Sequence, residues 1–145
     1  MKKEKDMSTL NGKIAIVTGA NSGMGMATTA ALAGMGATVI MLCDLGDFSS
    51  IKDFTDTFRR KYKSLDILVN NAGFISLDRQ ITKDGLERQF GVNHIGHFLL
   101  TMRLVDLFLS GGRIVIVASG AHKTGKIHFD DINLTKYFNV IKAYS

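Results

Sequence analysis

Lys13-Ile14-Ala15-Ile16-Val17-Thr18-Gly19-Ala20-Asn21-Ser22-Gly23-Met24-Gly25 is the stretch whose reading decides the fold. An apolar run breaks into a glycine loop, and the loop opens an alanine-rich helical segment. The glycines stand at 19, 23 and 25, a G-x-x-x-G-x-G spacing. Each suits the grip of a pyrophosphate. The first permits a tight turn, the second lets backbone approach phosphate, and the third lets the helix settle against its strand. Free N–H groups and a partial positive charge at the helix N-terminus then face the anion. A glycine loop alone is a weak signal, because motifs of this length arise by chance. Here it lies in strand–loop–helix order with further motifs behind it, so the chain reads as a nicotinamide-dinucleotide binder.

Working outward, short runs rich in Val and Ile at 14–17, 37–42, 67–69 and 114–118 read as buried parallel strands. Helical patterns separate them. Residues 24–33 are mostly small (Ala27, Ala30, Ala31, Ala33), which allows close packing on a sheet, and Gly34 is a stop signal. Phe48, Ile51, Phe54, Phe58 and Tyr62 mark one apolar face of a helix over 48–62, with Asp47 or Ser50 as its cap. The segment 84–109 reads as one long helix. Leu86, Phe90, Asn93, His97, Leu100 and Leu104 form its stripe, while Val92, Ile95, Phe98, Leu99 and Met102 fill out the other side. Such breadth implies burial within the fold or against another copy of the chain, a homo-oligomer. The alternation predicts an α/β fold: a Rossmann-type, doubly wound parallel sheet with helices on both faces.

At 145 residues, 46% hydrophobic, the chain supports one globular core. The reading divides it into a charged tail over 1–10 and a dinucleotide-binding domain over 11–145. A single cysteine, Cys43, rules out an internal disulfide framework and suits a reducing compartment; its simplest role is a buried strand residue. Net charge is +5, yet the densest cluster (Arg59, Arg60, Lys61, Lys63) closes a helix, where cations complement the macrodipole. No nucleic-acid motif accompanies it. Residues 19–43 carry no charge, but five glycines cut that window into loop, helix and strand, so no membrane span is expected. Met1–Asp6 is charged and no apolar leader follows, which predicts a cytoplasmic protein.

Four further stretches carry chemistry. Asn70-Asn71-Ala72-Gly73 ends the third apolar run; Phe90-Gly91-Val92-Asn93-His94-Ile95-Gly96-His97-Phe98-Leu99-Leu100-Thr101 lies in the long helix. Arg113–Ser119 is a strand ending in serine, and Ala143-Tyr144-Ser145 follows 25 positions after Ser119. Together with Thr18–Gly25, these stretches resemble the short-chain dehydrogenase/reductase family, in particular its retinol-dehydrogenase-like branch. The resemblance implies hydride transfer between NAD or NADP and a small-molecule alcohol or carbonyl, by preference a lipophilic one. It assigns Thr18, Gly19, Asn21, Ser22, Gly23, Met24, Gly25, Asp44, Asn70, Ala72 and Gly73 to the cofactor. It makes Tyr144 the proton donor or acceptor, Ser119 a hydrogen-bond donor to the substrate oxygen, and Asn93 an indirect support through water. Unperturbed tyrosine titrates near pH ~10, so a neighbouring cation is expected to make the phenol usable.

Two departures qualify the resemblance. The lysine the family places three or four residues after the tyrosine is not present, nor are the strands that build a substrate pocket, so little or no turnover is expected of these 145 residues. Only 52 positions separate Thr18 from Asn70, short by about one strand–helix unit of ~30 residues. Asp44 therefore has two readings. As the end of the second strand, 19 residues after Gly25, it would bind the ribose 2′-hydroxyl and favour NAD; as the end of a third it would lie beside the adenine, which is the preferred reading. A non-catalytic dinucleotide-binding module is the alternative of a different class. A third reading is a phosphate loop at Gly120–Lys126, which fits G-x-x-x-x-G-K but has Ile127 where Ser or Thr should hold magnesium. His94 and His97 lack a third ligand and are read as packing residues, so no metal is expected. Asp130 and Asp131 are read as loop residues.

Overall fold

A computed structural model of the chain describes residues 9–41 and 44–145. The tail reading for most of 1–10, and the burial of Cys43, fall outside those residues. Four strands, β1 (Ile14–Val17), β2 (Thr38–Met41), β3 (Leu65–Asn70) and β4 (Phe108–Ile116), form one parallel sheet in the order β2-β1-β3-β4. Helices α1 (Gly23–Gly34) and α2 (Phe48–Lys61) make the first two crossovers. A longer helical run then passes through α3 (Arg88–Phe90), a π-helical stretch (Gly91–Gly96), α4 (His97–Leu104) and a 3-10 turn (Val105–Leu107). After β4 come a 3-10 turn at Gly120–Lys123 and a short α5 (Val140–Tyr144).

Strand side chains alternate between two faces. Ile16 and Leu68 point to one face, where they pack with Ile51 and Phe58 of α2 and Leu100 and Leu104 of α4. Val17 and Val69 point to the other and meet Leu32 of α1. Ile16, Ile51, Leu65, Leu68, Leu100 and Leu104 are fully buried, each contributing about 2 kcal/mol of hydrophobic stabilisation. Helices thus cover both faces of a parallel sheet, and the doubly wound expectation holds. The buried cluster under α1 is the smaller one, and α1 itself is mostly Ala, Gly and Thr.

Polar contacts lock the register. The Asp66 carboxylate on β3 accepts from the Ile14 amide (2.9 Å) and from Lys13 Nζ (2.8 Å), fixing where β1 begins. Asp47 caps α2 by accepting from the Ser49 and Ser50 amides at 2.9 and 3.3 Å. Lys83 and the Ser49 hydroxyl, both hydrogen-bonded to Asp47, hold its carboxyl well below the usual range. Between α2 and α4, Arg103 Nε donates to Thr55 Oγ1 (2.6 Å), Arg103 pairs with Asp56 and Arg59 with Asp106.

Three sequence expectations change, and the first is burial: the run at 114–118, read as a buried strand, lies exposed at the sheet margin, with Ile116 70% exposed. The helix read over 84–109 starts at Arg88, because Glu87, not an earlier residue, caps it by accepting from the Gln89 and Phe90 amides (3.0 and 2.9 Å). Asp84 is drawn away to the Phe48 amide (2.9 Å). The same segment ends before Phe108, where β4 begins, six residues ahead of the expected strand at 114–118; a register irregularity between Leu65 and Ile67 accommodates the early pairing.

Candidate functional site

The glycine loop sits at the carboxyl ends of β1 and β3. Gly19 (φ +65°) and Gly23 (φ +50°) adopt a backbone that other residues avoid, and the Cβ direction at Gly23 opens into empty space. Gly25 is buried, and a methyl group there would lie 2.2 Å from the Gly19 carbonyl oxygen. Its absence lets α1 press on the loop. The α1 N-cap, Ser22, makes no side-chain cap bond, and the first turn holds no acidic residue. Backbone donors at this helix end are left for an external anion. Beside them lies a cavity of about 440 Å³ whose walls include Gly19, Asn21, Asp44, Leu45, Ala72 and Val92. An open glycine turn, an uncapped helix start and an adjoining cavity fit a dinucleotide. Asp44 is on that wall, past the strand next to β1, with Oδ1 taken up by the Gly46 amide (2.8 Å). Asn21 on that wall is exposed, and Ser22, Met24 and Gly73, also exposed, lie outside the lining.

Thr18 anchors the cradle. Its Oγ1 accepts from the amides of Asn71 and Ala72, both at 2.9 Å, and lies 2.9 Å from His97 Nε2. Asn71 Nδ2 returns a bond to the Thr18 carbonyl (3.0 Å). Asn70, expected at the cofactor, instead turns inward: it is buried and its Nδ2 donates to Thr101 Oγ1 (3.0 Å), joining β3 to α4.

Of the three candidate catalytic side chains, two share a cavity. Asn93 and Tyr144 both border a space of about 450 Å³ between the π-helical stretch and the segment after β4. Ser119 is outside that lining. Its Oγ accepts from the Ala121 amide (3.2 Å) and caps the 3-10 turn. The Asn93 amide is committed at both ends, with Oδ1 accepting from Phe74 N (2.7 Å) and Nδ2 donating to Phe74 O (2.8 Å). Asn93 therefore braces the chain just after Gly73. A π-helical turn around it, bounded by Gly91 and Gly96, is the kind of helix irregularity that clusters at functional sites.

His94 and His97 diverge, since His94 stacks on Phe90 (5.5 Å) while His97 turns inward. Among the described residues no three His, Cys, Asp or Glu side chains gather as a metal site. The phosphate-loop reading of Gly120–Lys126 fails on geometry. A 3-10 turn fills Gly120–Lys123, and no helix follows whose N-terminus could meet a phosphate. Sequence reasoning missed the roles of His97 and Asn71, which depend on contacts no local pattern announces.

A family model described as enoyl-(acyl carrier protein) reductase matches residues 7–138. Human retinol dehydrogenase 14 is 35% identical across the whole chain and 56% of its own length, and human retinol dehydrogenase 13 is 37% identical across 94% of the chain. This chain belongs to the short-chain dehydrogenase/reductase family. It spans about half the length of the curated relatives it matches, and its 145 residues align over 187 positions of retinol dehydrogenase 14. The relative thus carries extra residues inside the matched span, in line with the short interval between Thr18 and Asn70. Among solved structures, an uncharacterized protein from Mycobacterium Paratuberculosis superposes with a TM-score of 0.85 at 35% identity, covering 94% of this chain and 57% of that one. A short-chain dehydrogenase from Burkholderia cenocepacia, solved with NADP, gives 0.68 at 26% identity over 79% of this chain and 58% of that one.

Proposed function

We propose that this chain is the dinucleotide-binding portion of an NAD(P)-dependent oxidoreductase acting on a lipophilic alcohol or carbonyl compound. The observation that carries this reading is the uncapped start of α1 behind a glycine turn that Thr18 pins to Asn71 and Ala72. Gly19, Gly23 and Gly25 with the α1 amides hold the pyrophosphate, and Asp44 and Ala72 flank the adenosine half. A bound nicotinamide supplies or accepts the hydride. The Tyr144 phenol holds the proton exchanged with the substrate oxygen, Ser119 hydrogen-bonds that oxygen, and Asn93 acts indirectly. The retinol dehydrogenases among the relatives support a lipophilic substrate, and the NADP-bound relative supports a phosphorylated cofactor, with NAD kept beside it. No described helix is long and apolar enough to cross a membrane. A cytoplasmic location, supported by the lone cysteine, and self-association, supported by exposed Phe98 and Met102, complete the proposal.

A non-catalytic binding module is the second reading, favoured by Ser119 lying outside the cavity that Asn93 and Tyr144 share. Titrating NADH and NADPH by fluorescence and assaying turnover separates the two. The oxidoreductase reading expects micromolar binding of one dinucleotide and, from these 145 residues, a low rate that vanishes in Tyr144→Phe. Binding with no turnover in either direction selects the module; failure to bind either dinucleotide removes both.

A further inference from the structure

Thr18 Oγ1 has more polar neighbours than a hydroxyl can serve indiscriminately. The amides of Asn71 and Ala72 lie at 2.9 Å, His97 Nε2 at 2.9 Å and the Val69 carbonyl at 3.4 Å. A hydroxyl has one proton and two lone pairs. The two amides can only donate, so they occupy both lone pairs. One proton is left, and its nearer target is Nε2; Val69 O is farther and already accepts from the Thr18 amide (3.0 Å). Nε2 must therefore be unprotonated. A proton on Nε2 would face an oxygen with no lone pair free, leaving a buried donor unsatisfied. The ring proton then sits on Nδ1, which lies 3.1 Å from the Asn93 carbonyl and donates to it. His97 is 8% exposed, and burial pushes its imidazole down in pKa, in keeping with a neutral ring.

We infer that His97 is a positioning residue: as a neutral imidazole with its proton on Nδ1, it aims the Thr18 hydroxyl and so ties the dinucleotide loop to the helical run that carries Asn93. The inference rests on the cofactor reading above and extends it to a residue outside the glycine motif. One ring joins three stretches. It holds the residue before Gly19, through Thr18 it holds the Asn71–Ala72 turn beneath the cavity, and it takes the main-chain carbonyl of Asn93. With the ring removed, the Thr18 proton loses its target, both amides keep a less well-oriented acceptor, and the cradle loosens against α4.

Nitrogen NMR of the 15N-labelled chain at pH 7 reads the tautomer directly, with a protonated Nδ1 and a pyridine-type Nε2 expected for His97. Dinucleotide titration reads the positioning. His97→Phe, which keeps the ring volume, is expected to bind about ten-fold more weakly, and Thr18→Val more weakly still, because it also strands the Asn71 and Ala72 amides. The double variant should lose little more than Thr18→Val alone, because the His97 link runs through the Thr18 hydroxyl. His97→Gln, which retains an acceptor, should recover to within about two-fold of the parent. A proton on Nε2 or a charged ring at pH 7 overturns the inference, and so does a folded His97→Phe that binds as the parent does, or two losses that multiply. If His97→Phe does not fold, the nitrogen signature of the parent decides. A parent chain that binds neither dinucleotide removes the cofactor reading and the positioning role with it, whereas the wrong tautomer in a chain that does bind removes the His97 role alone.

Discussion

At Gly25 a single methyl group decides between a closed and a broken cradle. Its nearest neighbours would be the Gly19 carbonyl oxygen at 2.2 Å and Asn71 Nδ2 at 2.6 Å, both held in place by the Thr18 network. Gly25→Ala should therefore cost about 1–3 kcal/mol of stability and weaken dinucleotide binding at least ten-fold. Gly34→Ala, with nothing within 4 Å of the added carbon, should be neutral or stabilise by about 0.5 kcal/mol. Urea unfolding of both variants checks the contrast. His97 makes a second prediction at this scale. Its folded pKa lies below the ordinary 6.5 because burial disfavours the charged ring. As pH falls below about 6.5, the unfolded chain takes up a proton that the folded chain declines, so stability drops in that window and is level above about pH 7. The urea midpoint should fall between pH 7.5 and 5.5, and His97→Gln should flatten that slope.

The π-helical stretch between α3 and α4 shows what an element needs from its ends. A carbon added to Gly96 would sit 2.4 Å from the Leu45 carbonyl oxygen, a backbone atom with no room to yield. Gly96→Ala should push α4 off the cavity wall at Leu45 and cost about 1–3 kcal/mol, read as a lowered unfolding midpoint. Much of the element layout was legible: β1, α1, α2 and the Asp47 cap follow from runs, periodicity and capping chemistry that are local. Phe108 and Leu109 were not, because they continue the apolar spacing of Leu104 and Val105, and a short apolar run reads equally as helix or strand. Pairing with Leu65 on β3 settles Phe108 as strand. The site divides the same way. Its glycines fall within seven residues and announce themselves, whereas Asn71 acts on a partner 53 residues away and His97 on one 79 residues away. Ser119 and Tyr144 were implied by the family resemblance, which said nothing of the Ala121 amide that claims the serine hydroxyl.

Over the whole molecule the sheet is unevenly dressed. β2 and β4 are its margins, and β4 is exposed along nearly all its length, with Ile116 70% exposed and Leu109 63%. Phe98 and Met102 add apolar surface on α4. A bare parallel margin with exposed Ile and Val is a template for pairing with another strand. The 145-residue chain should self-associate in a concentration-dependent way, and Ile116→Lys should shift it toward monomer in sedimentation velocity. A parent that sediments as a monomer at high concentration would show that this margin is inert.

The threonine hydroxyl at the end of β1 has a temporal consequence. All the partners that orient it are translated much later than the glycine signature itself, the last of them on α4. A growing chain that has emerged only as far as α2 carries the complete signature but none of the amides, and not the imidazole, that hold the Thr18 hydroxyl. Coenzyme can therefore stabilise this chain only after β3 and α4 have docked, which makes it a late clamp on the folded state rather than an early nucleus for folding.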